Sequence, residues 1–241
     1  TGQWADLPFE EMCKIASEIG YEGLELATWG NHVNPKRAAE EPAYVKEILD
    51  TLKKYNLKTW AISAHLSGQL VGDVYDKRHN GFAASSVADN PKAMREWAVK
   101  EVGYTIKAAK NLGINIITGF LGSPIWNYWY SFPQTTAEMV EEGYKTIVKR
   151  WTPLFDEMDK NDIRFALEVH PTEIAYDYYS FVKLLEAFKY RKTLGMNFDP
   201  SHLLWQGLKP HLMIREIPDR VYHVHIKDDS VTLDGLNGIL G

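Results

Sequence analysis

Cysteine is nearly absent: the 241 residues include one, Cys13. A single thiol excludes an internal disulfide and a cysteine-rich zinc module, and a reducing cytoplasm is the simplest compartment for such a chain. Cys13 falls in a helical pattern and is expected to be buried there. Long apolar runs are also missing, with nothing near the ~20 uninterrupted apolar residues of a membrane span. The opening residues, Thr1 to Asp6, lack the basic-then-apolar order of a secretion signal. Positive charge is sparse: 27 Lys and Arg stand against 32 Asp and Glu, for a net charge of −5. The basic residues form no stripe beyond pairs such as Lys53-Lys54, which argues against a nucleic-acid partner. There is no solenoid-type repeat, low-complexity segment, phosphate loop or Gly-rich dinucleotide fingerprint.

What is present is a strict alternation of element types. Helical periodicity covers 8–19, 41–55, 91–112, 136–161, 178–188 and a shorter stretch at 210–217. Short apolar runs at 23–27, 58–64, 114–120, 164–169, 194–198 and 221–226 read as strands. Asp6 and Asp89, each shortly before a proline, are expected to start helices. Gly20 and Gly113 stand where helices must stop. With no Pro/Gly-rich linker, the pattern predicts one α/β domain over residues 1–241 with a parallel sheet. The expected architecture is a (β/α)8 TIM barrel whose first and last strands are not seen, with an open sheet as the alternative.

Three strand ends carry the chemistry. Phe165-Ala166-Leu167-Glu168-Val169-His170-Pro171 ends in a carboxylate and an imidazole. Met196-Asn197-Phe198-Asp199-Pro200-Ser201-His202 does the same, and Val221-Tyr222-His223-Val224-His225-Ile226-Lys227-Asp228 ends in two His, a Lys and an Asp. Strand side chains alternate faces. Glu168 therefore shares a face with His170, Asn197 with Asp199, and His223 with His225 and Lys227. Val224 and Ile226 fall on the opposite face, expected under helices. The polar set is thus aimed into the barrel, at the C-terminal mouth where barrel enzymes build their sites.

Buried carboxylates need a compensating charge. For Glu168, Asp199 and His225 a divalent cation supplies it, and two carboxylates with an imidazole suit Mn²⁺ first, then Mg²⁺, Co²⁺ or Zn²⁺. The alternative is an interior ion-pair network through Lys227 and Arg164. His65, on the same face as Ser63, is a candidate substrate or metal contact. Glu25 points inward as a candidate for binding substrate hydroxyls. Trp29, Trp126 and Trp129 lie after strands, where a ring can stack on a sugar face. Lys227 and Asp228 are further candidates for the ligand. His32 and His79 lie in polar loops and are expected to be exposed.

The runs Leu167-Glu168-Val169-His170-Pro171, Asn197-Phe198-Asp199-Pro200-Ser201-His202 and His223-Val224-His225-Ile226-Lys227-Asp228 resemble those of the xylose-isomerase-like TIM barrels. Gly23-Leu24-Glu25-Leu26 and Ala64-His65 resemble them too. The resemblance implies Glu168, Asp199 and His225 as metal ligands and His202 as a substrate-contacting or supporting His; His170, on the face of Glu168, is a further substrate-binding candidate. The resemblance also implies a second substrate-binding carboxylate near Glu173. A further ligand glutamate is implied on an eighth strand. No Glu follows Asp228, and without that group weak metal binding and no activity are expected.

The implied activity is a sugar or polyol isomerase or epimerase in which Glu168 removes a proton beside a carbonyl, giving an enediolate. A dehydratase on the same scaffold is the nearest alternative. An apurinic endonuclease fits less well, since no His falls between His79 and His170, and a non-catalytic sugar-binding barrel is a third reading. The expected partner is a small sugar or polyol, without nucleic acid or membrane, in a possible homo-oligomer.

Overall fold

The structure is a computed structural model, described here for residues 2–125, 132–232 and 235–236. Six strands run parallel in one sheet: β1 (Leu26–Ala27), β2 (Ala61–Ser63), β3 (Ile116–Gly119), β4 (Arg164–Glu168), β5 (Leu194–Phe198) and β6 (Val221–Val224). Their order in the sheet is their order in the chain, as successive βα units wound in one direction produce. The strands lie inside the segments expected for them. β5 is buried at all five positions, as a strand covered on both faces must be.

Nine helices are described: α1 (Phe9–Ile19), α2 (Pro35–Glu40), α3 (Pro42–Lys54), α4 (His65–Gly72), α5 (Pro91–Leu112), α6 (Ala137–Lys160), α7 (Tyr178–Ala187), α8 (Pro200–Leu204) and α9 (Pro210–Glu216). Cys13 is buried on α1. Gly20 and Gly113 close α1 and α5 in the left-handed conformation, as expected. Asp6 does not cap α1, whose first turn receives no side-chain cap. Asn90, not Asp89, accepts from the Ala93 amide at the start of α5. None of the described helices is long and apolar enough to cross a membrane.

The short helices α2, α4 and α8 have no clear signal in the sequence. In α4 the reason is visible: a Cβ on Gly68 would stand 2.1 Å from the Phe120 carbonyl oxygen, and one on Gly72 2.0 Å from that of Leu121. Tertiary contact with the chain after β3, rather than helix propensity, selects those glycines. Two expectations fail on burial. His32 and His79 are buried, not exposed. His32 Nε2 lies 2.9 Å from the Trp4 carbonyl. His79 receives the Asp76 amide at Nδ1 and pairs through Nε2 with Asp73 at 2.9 Å. Val224 and Ile226, expected under helices, are 42% and 78% exposed, so the outer face of β6 stays open among the described residues.

Candidate active site

The C-terminal ends of the strands gather the predicted polar residues around one carboxylate. Glu168, at the end of β4, is buried. Its Oε2 is 3.1 Å from His65 Nε2, 2.9 Å from Asn197 Nδ2 and 2.9 Å from His225 Nδ1. Its Oε1 is 3.0 Å from His202 Nε2 and 3.9 Å from Lys227 Nζ. Burial alone would push this carboxyl up. Hydrogen bonds from His202, His225 and His65 outweigh that and hold it well below the usual carboxylate range.

Asp199 leads from β5 into α8. Its Oδ1 accepts from the Ser201 amide and hydroxyl at 3.0 and 2.7 Å. Its Oδ2 is buried and accepts no hydrogen bond of good geometry. The positive Lys227 Nζ lies 2.6 Å from it and His202 Nε2 3.4 Å. A buried carboxylate oxygen met only by an ammonium and an imidazole nitrogen suits a metal ligand.

Glu25, just before β1, reaches across the mouth to β6. Its Oε2 is 2.9 Å from Nε2 of both His223 and His225. Burial would raise Glu25, but hydrogen bonds from His223 and His225 hold it below its ordinary range. His225 would be lowered by burial, yet its bonds to Glu168 and Glu25 raise it to about 9. The sheet therefore curls until its outermost strands meet through side chains. The mouth is a cavity of about 640 Å³ whose lining includes Glu25, Trp29, His65, Glu168, His225 and Lys227. Phe120, whose ring lies edge-on to His65 at 4.6 Å, lines it as well.

The structure groups the expected ligands differently from the sequence reading. Potential ligand atoms of Glu168, Asp199 and His202 lie within 4.8 Å of one another, as do those of His65, Glu168 and His225, and those of Glu25, His223 and His225. Glu168 joins the first two sets, one holding Asp199 and the other His225. This donor set of carboxylates and imidazoles fits a divalent cation. Of the ion-pair alternative, Lys227 takes part, whereas Arg164 stacks on Tyr222 away from the cluster.

Other expected residues stand apart. His170 packs edge-on against His202, with ring centroids 4.0 Å apart. Burial and the nearby His202 lower it to about 4, and it lies outside the lining of the mouth cavity. Asp228 is exposed and accepts its neighbour's amide. Trp126 and Trp129 lie outside the described residues. Glu173 does not reach the cavity: its fully buried Oε2 accepts the Leu121 and Gly122 amides at 3.1 and 2.8 Å. It is thus a clasp on the chain after β3 rather than a substrate contact. Asn197 and His223 joined the cluster without having been assigned a role, although strand alternation had placed both on the inward face.

Burial, with Asp73 nearby, raises Glu173 well above the ordinary carboxylate range. The folded state therefore keeps a proton that the unfolded chain releases near the ordinary value. Stability from this group falls as pH rises through that window. Glu173→Gln is expected to flatten this slope in urea titrations across pH. Glu173→Ala is expected to cost about 1–3 kcal/mol by stranding two amides. An unchanged slope in the Gln variant would contradict the protonated clasp.

The sequence profile of the family described as xylose isomerase-like TIM barrel matches residues 13–237. The chain belongs to that family. An uncharacterised protein of Bacillus subtilis, YfiH, is 25% identical over 258 residues, covering all of this chain and 75% of that protein. Among solved structures, the 3-keto-D-glucoside 4-epimerase YcjR of E. coli superposes with a TM-score of 0.67 at 16% identity, over 94% of this chain and 78% of that one. The IOLI protein with a bound zinc atom gives 0.63 at 16% identity, over 98% and 73%. At these identities the solved structures show a shared fold: the six strands and their helices are part of a (β/α)8 barrel.

Proposed function

We propose that this family member is a metal-dependent isomerase or epimerase of a small sugar or polyol ketone, working as a single barrel domain in a reducing cytoplasm. The observation that carries the reading is the setting of Glu168, a buried carboxylate with imidazoles on both oxygens and Asp199 beside it. Glu168 and Asp199, with His202 and His225, would hold the cation, and we infer Mn²⁺ for this mixed set of two carboxylates and two imidazoles. When bound, the ion would polarise a ketone and acidify the neighbouring C–H.

The chain's own residues perform the rest. His65 and Asn197 hold the Glu168 carboxylate in place with hydrogen bonds, and it is the group positioned to accept the proton. Lys227, beside Asp199 and Glu168, is placed to meet a developing oxyanion. Phe120, Trp29 and His65 wall the cavity and keep water from the reacting face. Returning the proton from Glu168 to a neighbouring atom isomerises the sugar, while epimerisation would need a second proton donor on the opposite face, the part that the family resemblance gives to an eighth-strand glutamate.

The test is deuterium uptake from D2O by a panel of keto-sugars and inosose-like ketones, with and without Mn²⁺, Mg²⁺ or Zn²⁺. Ion-dependent uptake at the carbon beside the carbonyl is expected with at least one member. Uptake with none of them would overturn the enediolate reading, and accumulation of a dehydrated product would move the assignment to a lyase.

A further inference from the structure

Glu25 and His225 are 200 residues apart in sequence and 2.9 Å apart in space. The His225 ring bridges two carboxylates, with Nε2 facing Glu25 and Nδ1 2.9 Å from Glu168 Oε2. A neutral imidazole has one N–H, and a carboxylate can only accept. With a carboxylate accepting at each nitrogen, the ion-free ring can carry a proton on both; a cation at Glu168 would displace the one on Nδ1, while Glu25 keeps the one on Nε2. Asn197 stands beside Nδ1. Its amide nitrogen donates to Glu168 and lies 2.9 Å from His225 Nδ1, whereas the flipped amide would set an oxygen against the carboxylate. His223 Nε2 donates to the same oxygen of Glu25 and so fixes the carboxylate that fixes the ring.

We propose that Glu25 is a positioning residue: steadied by His223, it selects the His225 tautomer whose Nδ1 serves as a ligand to the divalent cation at Glu168. This inference rests on the metal reading above. It removes Glu25 from the substrate-binding set and gives a role to His223. Carboxylates placed behind a metal-bound imidazole fix its ring and tautomer, and changing them typically weakens metal affinity about 10–100-fold.

The test is calorimetric titration of the purified chain with Mn²⁺ and Zn²⁺, beside Glu25→Gln, Glu25→Asp, His223→Gln and Asp199→Asn, with each ion-free variant checked by thermal unfolding. One ion per chain is expected. Glu25→Gln should weaken it about 10–100-fold, and His223→Gln should weaken it less, because the carboxylate remains. Should the Gln variant fail to fold, Glu25→Asp carries the test, since it keeps the charge but shortens the reach, and weaker binding is again expected. Long-range proton–nitrogen spectra of the Zn²⁺-loaded wild type should show His225 protonated at Nε2 alone, with that signature lost in the Gln variant.

An unchanged affinity in a folded Glu25 variant would overturn the proposal while leaving the metal reading intact. So would two ions per chain with one lost in both the Glu25 and His223 variants, which would make Glu25, His223 and His225 a separate zinc-type site. Failure of the wild type to bind any ion would overturn both readings.

Discussion

Glu168→Gln is expected to lower ion-dependent deuterium uptake by about 10²–10⁴-fold, the range removed with a positioned general base. The substitution keeps shape and hydrogen-bonding reach but cannot take up a proton. It also changes what the surrounding donors meet. His65, Asn197, His202 and His225 all approach one carboxylate, and an amide offers an acceptor on one side only. Two losses therefore coincide, one of base and one of ion affinity. Measuring uptake at saturating ion separates them, because added ion restores binding without restoring the base. If uptake at saturation stays within tenfold of wild type, the base lies elsewhere in the cluster and the role given to Glu168 is wrong.

The second large effect is on stability. Trp151→Ala should lower the unfolding free energy by about 3–5 kcal/mol, the usual cost of removing a large buried aromatic ring. Trp151, on α6, is fully buried against Phe155 and Phe165, with centroids 5.5 and 5.1 Å away. Its indole Nε1 also donates to the Leu121 carbonyl at 3.0 Å, on the residue whose amide Glu173 holds. One side chain thus ties the core beneath β4 to the chain that follows Phe120 in the cavity wall. Trp151→Phe keeps most of the bulk and loses the hydrogen bond, for a smaller cost of about 1–3 kcal/mol. Urea titration of both variants is the check. A loss below about 1 kcal/mol for the Ala variant would show that the core collapses around the gap.

Much of the fold was legible because its cues are local. Hydrophobic period, proline and glycine punctuation and strand length placed all six described strands and six of the nine described helices. The short helices were not legible, since α4 contains glycines that only its contact with Phe120 and Leu121 explains. His32 and His79 show the same limit. A histidine in a polar loop looks exposed until a distant acceptor, such as the Trp4 carbonyl or Asp73, is folded against it.

The candidate site divides along the same line. Alternation along three strands was enough to turn Glu168, Asp199 and His225 inward and to bring their chemistry to one end of the sheet. The sequence by itself therefore determined the barrel class, the family motifs and the residues that face the mouth, because a strand's two-residue period is a local property. Which oxygen meets which imidazole was decided only by tertiary structure. Sheet curvature brings the ends of β1 and β6 within side-chain reach and joins Glu25 to His223 and His225. It also sets His202 rather than His225 beside Asp199, and draws Glu173 into the wall instead of the cavity. Curvature is the summed twist and packing of all the strands and helices, and no short stretch of sequence carries it.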